Sequence, residues 1–183
     1  MTLDVHQLDQ LLLVGTGSSD DWFLVDHPDV YPTIVGEQGE DTIDLRTATG
    51  GFDLTLGQDT FGGGHWLSAF EFEVILGSEF GDVLLGPDSA GQDDTVTFYG
   101  FDGNDYLIGG DQADFLRGGR GVDTLKGREG ADTLFGSPGN DLLGGGYGPD
   151  ELRGGGGDDV LIGGPGVDAC VGGEGPDSVD CER

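Results

Sequence analysis

Carboxylates at a fixed interval are the feature of this sequence with the clearest chemical meaning. From residue 100 onward an aspartate recurs every nine residues, each time after a glycine-rich hexamer and two residues before an apolar side chain. Carboxylate oxygens are hard ligands for metal cations, and a glycine-rich turn can direct main-chain carbonyl oxygens to the same point. The interval therefore indicates a row of metal sites. The alternative is a solvated acidic surface, which needs no regular spacing.

The repeated unit predicts its own local structure. Nine units run without a gap from Gly100 to Asp180 and read GFDGNDYLI, GGDQADFLR, GGRGVDTLK, GREGADTLF, GSPGNDLLG, GGYGPDELR, GGGGDDVLI, GGPGVDACV and GGEGPDSVD. Position 1 is always glycine, position 4 is glycine in eight units, position 6 is always aspartate, and position 8 is leucine in seven. The hexamer reads as a turn and the last three residues as a short strand with one inward apolar side chain. One unit cannot bury its leucine alone, so the units must stack into a solenoid.

These nonamers resemble the GGxGxDxUx repeats of the RTX ("repeats in toxin") family. The resemblance implies an all-β fold, a right-handed parallel β-roll in which two nonamers form one coil of 18 residues. It also implies that Ca²⁺ ions lie between turns stacked on each edge of the roll, held by aspartates and main-chain carbonyls. Calcium suits such a site because it takes six to eight oxygen ligands at about 2.3–2.6 Å.

The resemblance assigns metal ligands residue by residue. One edge would carry Asp105, Asp123, Asp141, Asp159 and Asp177, and the opposite edge Asp114, Asp132, Asp150 and Asp168. Five turns enclose four gaps and four turns enclose three, which gives about seven ions in the regular roll. Carbonyl ligands would come from the hexamer glycines Gly103, Gly110, Gly119, Gly121, Gly130, Gly139, Gly146, Gly148, Gly155, Gly157, Gly164, Gly166, Gly173 and Gly175.

Some units depart from the repeat. Gln112 replaces the fourth glycine of its unit, so that turn must be strained or looser, and we expect the metal site beside it to be the weakest. Arg128 and Ser137 replace the second glycine, where a carbonyl ligand tolerates a side chain better.

The first 99 residues contain more degenerate units. "GEQGEDTIDL" and "GSEFGDVLLG" offer Asp41 and Asp82 as further ligand candidates. We therefore interpret residues 1–99 as an irregular solenoid or capping section and residues 100–183 as the regular roll. Residues 2–14 fit either a short helix or a strand.

Composition excludes several function classes. The chain has 183 residues, 36 of them acidic and 7 basic, with a formal net charge of −29. This excess opposes compaction unless cations intervene, and it excludes the basic surface needed for nucleic acid or an anionic membrane. The longest apolar run, Leu11 to Val14, is far short of the roughly 20 residues of a membrane span. Seven Ca²⁺ ions would offset 14 of the 29 negative charges. We expect a monomeric domain of a larger secreted polypeptide.

Two cysteines lie near the end of the sequence. Cys170 occupies the apolar position 8 of its unit, and Cys181 follows eleven residues later. Two free thiols, with Cys170 a small buried side chain, are one alternative. We predict the other, a disulfide that closes the last coil and contributes roughly 3 kcal/mol by reducing unfolded-chain entropy. Such a disulfide implies an oxidising, extracellular location.

No enzymatic signature is present in the sequence. HExxH and GxSxG motifs are missing, so we expect no catalytic activity. The loop "GGGHW", with His65 and Trp66, fits a surface loop, with catalysis or sugar stacking as the alternative. We predict a calcium-binding module that folds on Ca²⁺ binding and serves as a stabilising scaffold. A calcium-dependent carbohydrate-binding or adhesive module is the second hypothesis, with Arg46, Arg117, Arg120, Lys126, Arg128 and Arg153 as its possible cationic residues. A hydrolase with an unrecognised site in residues 1–99 is the third.

Overall fold

The computed structural model of the chain describes residues 11–14, 20, 22–24, 32–35, 41–56, 66–70, 73–87 and 95–181. Within these ranges every regular element is a β-strand, and none is a helix that could cross a membrane. The strands are β1 (Leu11–Val14), β2 (Trp22–Leu24), β3 (Pro32–Val35), β4 (Thr42–Asp44), β5 (Asp53–Leu56), β6 (Trp66–Phe70), β7 (Val74–Leu76), β8 (Val83–Leu85), β9 (Thr97–Asp102), β10 (Tyr106–Ile108), β11 (Phe115–Arg120), β12 (Thr124–Glu129), β13 (Thr133–Pro138), β14 (Leu142–Tyr147), β15 (Glu151–Gly156), β16 (Val160–Ile162), β17 (Ala169–Glu174) and β18 (Ser178–Asp180).

The strands form two parallel sheets that face each other across one core. The first sheet has the order β1-β3-β6-β5-β8-β10-β12-β14-β16-β18, and the second has the order β17-β15-β13-β11-β9-β7-β4-β2. From β7 to β18 successive strands alternate between the sheets. Each strand therefore pairs with the strand one full coil away, as Leu107 does with Leu125 and Leu116 with Leu134. The fold is a parallel β-roll, as the repeat predicts.

The N-terminal part of the roll is less regular. Strands β5 and β6 are consecutive in the chain but lie in the same sheet, with β6 between β3 and β5. The open question for residues 2–14 is resolved as a strand for Leu11–Val14, and residues 2–10 lie outside the described ranges. His65 also lies outside them. The predicted division between residues 1–99 and 100–183 stays a prediction.

Position 8 of the repeat builds the core. The coil register places these side chains directly over one another, and each one is fully buried from β7 to β16. The column in the first sheet is Leu84, Leu107, Leu125, Leu143 and Leu161, and the column in the second sheet is Ile75, Phe98, Leu116, Leu134 and Leu152. Because each leucine packs on those of the neighbouring coils, the stability of a unit depends on the units beside it.

The turns between strands use left-handed backbone at two positions. Position 4 has φ of 134° at Gly103 and 141° at Gly121, values that favour glycine. Position 2 is also left-handed, at 120° in Gly119 and at 90° in Arg128. Ser137 and Phe101 adopt the same region at position 2, with φ of 83° and 78°. A non-glycine residue there costs on the order of 1–3 kcal/mol, so these turns keep their shape against a local backbone preference.

A disulfide closes the C-terminal end of the roll, as predicted. Cys170 lies in β17, opposite Leu152 of β15, and continues the apolar column of the second sheet. It is bonded to Cys181, with a Cα–Cα distance of 6.3 Å. Since Cys181 directly follows β18, the disulfide links β17, at the end of the second sheet, to β18, at the end of the first.

Candidate metal-binding turns

The structure places the nine position-6 aspartates in two columns, one on each edge of the roll. The first column is Asp105, Asp123, Asp141, Asp159 and Asp177, and the second is Asp114, Asp132, Asp150 and Asp168. Within a column the backbone N–H of each aspartate donates to Oδ1 of the aspartate 18 residues later, at 2.8–3.1 Å. Asp82 extends the first column, since its N–H donates to Oδ1 of Asp105 at 2.8 Å. The two columns contain the same aspartates as the two predicted sets, and the role of these residues as metal ligands stays a prediction.

The second carboxylate oxygen, Oδ2, is the unusual atom of these columns. In seven aspartates it is buried and accepts no hydrogen bond from any residue in the described part of the chain. These aspartates are Asp105, Asp123, Asp132, Asp141, Asp150, Asp159 and Asp168. A buried acceptor without a donor costs about 1–3 kcal/mol, and more when it is charged. The repetition of the same deficit in successive units indicates a missing partner rather than a local packing fault.

Five of these oxygens, those of Asp105, Asp132, Asp141, Asp150 and Asp159, face a small space that they share with a carbonyl oxygen of the next coil. A methyl carbon added to Gly145 would touch Oδ2 of Asp150 and lie 2.7 Å from the carbonyl oxygen of Gly163 in the next coil. Gly127 has the same surroundings, with Oδ2 of Asp132 and the carbonyl oxygen of Gly145. Two acceptors that converge without a donor between them fit a cation.

The glycines at position 1 are functional residues that the sequence reasoning did not select. Their φ values are outside the left-handed region, so their backbone conformation does not explain why position 1 is always glycine. Space explains it, because a Cβ there would collide with the carboxylate of the same unit. The signal was visible in the sequence as the one glycine position without an exception. The residues are Gly100, Gly109, Gly118, Gly127, Gly136, Gly145, Gly154, Gly163 and Gly172.

The predicted carbonyl donors at positions 2 and 4 also stack from coil to coil. The carbonyl oxygen of Gly103 points at Gly121, and that of Gly121 points at Gly139. Among the fourteen glycines predicted as donors, all are left-handed except Gly110 and Gly166. The turns thus bring carbonyl oxygens and the aspartates to the same edges, while their role as ligands stays a prediction.

Two other predicted ligands, Asp82 and Asp114, differ from the seven aspartates above because both of their carboxylate oxygens accept hydrogen bonds from the protein. Oδ1 of Asp82 accepts from the N–H of Phe52 at 2.6 Å, and its Oδ2 accepts from the N–H of Ser78 at 2.6 Å and from its hydroxyl at 3.1 Å. Oδ1 of Asp114 accepts from the N–H of Val96 at 2.8 Å, and its Oδ2 accepts from the N–H of Gly110 at 2.6 Å. In these two turns the protein itself satisfies the carboxylate.

The two remaining ligand candidates, Asp41 and Asp177, lie on either side of the turns from Asp82 to Asp168. Asp41 is fully buried, and its N–H donates to Oε2 of Glu73 at 2.8 Å. Asp177 belongs to the last turn and is half-buried.

Burial sets the electrostatics of the columns. Desolvation raises the pKa of Asp105, Asp132 and Asp141 to about 7, with a further increase from the neighbouring aspartates of the same column. Hydrogen bonds from backbone N–H groups act in the opposite direction. Desolvation also raises the pKa of Asp114, to about 6, where two backbone N–H groups and the charge of Arg128 oppose it. A column without cations therefore holds its negative charge at a free-energy cost.

The donor set defines the class of metal. Among the described residues no group of three or more His, Cys, Asp and Glu side chains surrounds one point. A site at these turns would thus consist of carboxylate oxygens completed by main-chain carbonyls. Hard oxygen ligands without nitrogen or sulfur suit Ca²⁺ rather than Zn²⁺ or Cu²⁺.

Comparison with known proteins agrees with this chemistry. A family model described as the RTX calcium-binding nonapeptide repeat (4 copies) matches residues 90–116, 108–143 and 144–179. No curated protein sequence matches the chain.

We predict that Gly145→Ala destabilises the roll while Gly144→Ala does not. The added methyl group at residue 145 meets the Asp150 carboxylate and the Gly163 carbonyl, and overpacking of this kind costs about 1–3 kcal/mol. A methyl group at residue 144 has no atom within 4 Å, and it should stabilise by about 0.4–1 kcal/mol through the unfolded chain. Denaturant unfolding in saturating Ca²⁺ measures both free energies. Equal stability of the two variants would contradict the proposed role of position 1.

We further predict that the metal-free chain gains stability in mild acid. A carboxyl whose pKa is higher in the folded chain than in the unfolded chain destabilises the fold above that pKa. For Asp141 this penalty is relieved as the pH falls from about 7 toward the ordinary aspartate value of 3.8. Circular dichroism of calcium-depleted protein should therefore show more β signal at pH 5 than at pH 8.

Matched variants separate this effect from a general loss of net charge. Asp141→Asn removes one buried titrating group and should weaken the pH dependence. Glu129→Gln removes an exposed carboxylate and should leave the dependence unchanged. The same response in both variants would show that the buried column is not responsible.

Proposed function

Residues 90–179 belong to the RTX calcium-binding nonapeptide repeat family, and from this premise we propose that the β-roll is a module that folds when Ca²⁺ binds outside the cell. The observation that carries the proposal is the set of seven buried Oδ2 atoms without a donor. Ca²⁺ supplies a divalent charge and oxygen coordination at these atoms.

The aspartates and the turn carbonyls would hold the ions together. Each ion would lie between successive turns of one column, in contact with Oδ2 of one aspartate and with a carbonyl oxygen of the following coil. The chain has a net charge of −29, so carboxylate repulsion opposes folding in the absence of cations. Binding free energy at the turns then becomes folding free energy. Since every unit packs on its neighbours, folding should be cooperative.

The disulfide supports a secreted location. The Cys170–Cys181 bond is stable in oxidising compartments and rare in the cytosol. We propose that the module stays unfolded during export and becomes rigid in calcium-rich surroundings. It would serve as a non-catalytic, monomeric scaffold for the remainder of a larger polypeptide.

We predict a cooperative gain of β structure when Ca²⁺ is titrated into calcium-depleted protein. Far-UV circular dichroism should show the transition at submillimolar to millimolar Ca²⁺, the range of extracellular calcium modules. Mg²⁺ should not replace Ca²⁺, because it requires near-ideal octahedral geometry and gives up its water reluctantly. A chain that is already folded and indifferent to Ca²⁺ would refute the proposal.

A groove on the second sheet favours a second function, the binding of an acidic oligosaccharide. A cavity of about 320 Å³ is lined by Tyr99, Phe101, Asp102, Arg117, Gly118, Gly119, Arg120, Ser137 and Pro138. Tyr99 stands 6.2 Å from Phe101 between ring centroids and 5.7 Å from Phe115. Aromatic faces of this kind pack against the apolar face of a ligand ring.

Two arginines give the groove its charge. The Arg117 Nε–H donates to Oγ of Ser137 at 3.4 Å, and an Arg120 guanidinium nitrogen lies 3.9 Å from Asp102 Oδ2. Both contacts are long and both arginines are exposed, so the guanidinium groups can bind a ligand carboxylate in bidentate fashion. A uronic acid unit combines this carboxylate with a ring of suitable size.

The other predicted cationic residues are distributed over the molecule. Arg46 pairs with Asp44, and Arg153 lies beside Glu151 and the ring of Phe135. Lys126 and Arg128 both belong to β12 of the first sheet, with Lys126 over the ring of Tyr106. The arginines and the lysine that are close in sequence thus lie on different sheets.

We predict that a short oligouronate binds the calcium-loaded chain and that a neutral glucan oligosaccharide of equal length does not. Arg117→Gln combined with Arg120→Gln should reduce oligouronate affinity at least tenfold, because both carboxylate contacts are lost. Lys126→Gln, which removes a cation from the other sheet, is the matched control. Calorimetric titration measures the affinities. Equal binding of both sugars, or no binding, would exclude this second function.

A further inference from the structure

In two turns Oδ2 of the aspartate accepts a hydrogen bond from the protein, and in seven turns it accepts none from the described part of the chain. The residue at position 4 differs between these two groups. In the Asp114 unit this position is Gln112, and in the Asp82 unit it is Phe80. In all seven units whose Oδ2 lacks a donor, position 4 is glycine. Position 2 does not make this distinction, because Phe101, Arg128 and Ser137 occupy it in turns whose Oδ2 lacks a donor.

The backbone at position 2 follows the same division. In the seven units it is left-handed, with φ between 78° at Phe101 and 122° at Gly155. In the Asp82 and Asp114 units the residues at position 2, Ser78 and Gly110, are not left-handed. Their N–H groups instead donate to Oδ2 of the aspartate four residues later, both at 2.6 Å. The amide thus donates to the oxygen that accepts no hydrogen bond from the described residues in the other seven turns.

The φ values explain why position 4 controls the turn. In six of the seven units position 4 is left-handed, with φ of 133°, 157° and 125° at Gly130, Gly139 and Gly148. A residue with a Cβ scarcely reaches this region. A Cβ at Gly148 would also collide with the carbonyl oxygen of Gly130 in the preceding coil. In the Asp168 unit Gly166 is not left-handed, but a Cβ there would collide with the carbonyl oxygen of Gly148. Glutamine or phenylalanine therefore forces another turn conformation, whereas the left-handed angles of position 2 remain accessible to Arg128 and Ser137 at a moderate cost.

We propose that the residue at position 4 decides whether a turn binds Ca²⁺ or closes on itself through the amide of position 2. The inference rests on the proposed calcium function and refines it. The proposal places one ion in each space between two stacked turns whose first aspartate has an Oδ2 without a donor. These spaces, or gaps, follow Asp105, Asp123, Asp141 and Asp159 in the first column and Asp132 and Asp150 in the second. The gaps after Asp82 and Asp114 hold none. The regular roll thus binds six ions, where the repeat count alone predicts about seven, and each column begins with a calcium-independent turn.

Changing position 4 in both directions tests the inference on the full chain. Gln112→Gly should add one Ca²⁺ ion per chain, and Gln112→Ala, which lacks the required φ range, should add none. Gly148→Ala should remove one ion. Equilibrium dialysis with radioactive Ca²⁺ in excess Mg²⁺ counts bound ions, and differences from the unchanged chain are independent of any ions held by residues 1–99. Circular dichroism in saturating Ca²⁺ verifies that each variant is folded.

A pair of aspartate variants keeps the test decisive if the Gly148 variant does not fold. Asp114→Asn should leave the ion count unchanged, whereas Asp132→Asn in the same column should lower it by at least one. Equal losses from the two variants would overturn the inference, as would an unchanged count in Gln112→Gly. No bound Ca²⁺ in the unchanged chain would instead refute the proposed calcium function itself.

Discussion

The buried carboxylate of position 6 is the group on which the architecture depends. Its Oδ1 accepts the N–H of the aspartate 18 residues earlier, as in the pair Asp123 and Asp141 at 2.9 Å, and so ties each coil to the next. Its Oδ2 requires the space that only a position-1 glycine leaves open. The same 18-residue register that aligns the carboxylates also stacks the position-8 leucines. Hydrogen bonding, glycine placement and core packing are therefore three consequences of one constraint, and a substitution that moves the carboxylate affects all three.

This constraint also explains why a fold so rich in glycine needs an external component. Glycine loses more conformational entropy on folding than any other residue, and each nine-residue unit buries one leucine to compensate. The columns add a desolvation penalty, visible in the raised pKa values of Asp105, Asp132 and Asp141. Cations convert that penalty into binding free energy. Turns closed by protein donors, such as those of Asp82 and Asp114, have hydrogen-bond partners for both carboxylate oxygens and can hold their shape before any ion binds.

The sequence was sufficient to predict the features that depend on the length of the repeat. It was much less informative about the features that depend on contacts between particular residues. The β-roll and the aspartates of each edge follow from the nine-residue repeat together with its resemblance to the RTX family, and the Cys170–Cys181 bond follows from two cysteines that lie eleven residues apart near the end of the sequence. The closure of the Asp114 turn was foreseen only as a weaker site at Gln112, because the direction in which the Gly110 amide points is set by backbone angles that no residue pattern displays. The adjacency of β5 and β6 escaped prediction because the repeat is degenerate there, and a lost period leaves strand order undetermined.

The two-unit coil also governs how the outer surface can be used. Residues nine apart lie on opposite sheets, and residues 18 apart are neighbours on the same sheet. Position 9 of the second sheet accordingly brings Tyr99, Arg117, Phe135 and Arg153 into one row of alternating aromatic and cationic side chains. Arg153 lies 5.6 Å from the Phe135 ring centroid, a distance at which the cation and the ring attract each other. The edges, where turn geometry is fixed by the carboxylates, have little freedom to vary. The outer strand positions carry no such restriction, so a ligand-binding face can be built on one sheet without disturbing the turns that hold the roll together.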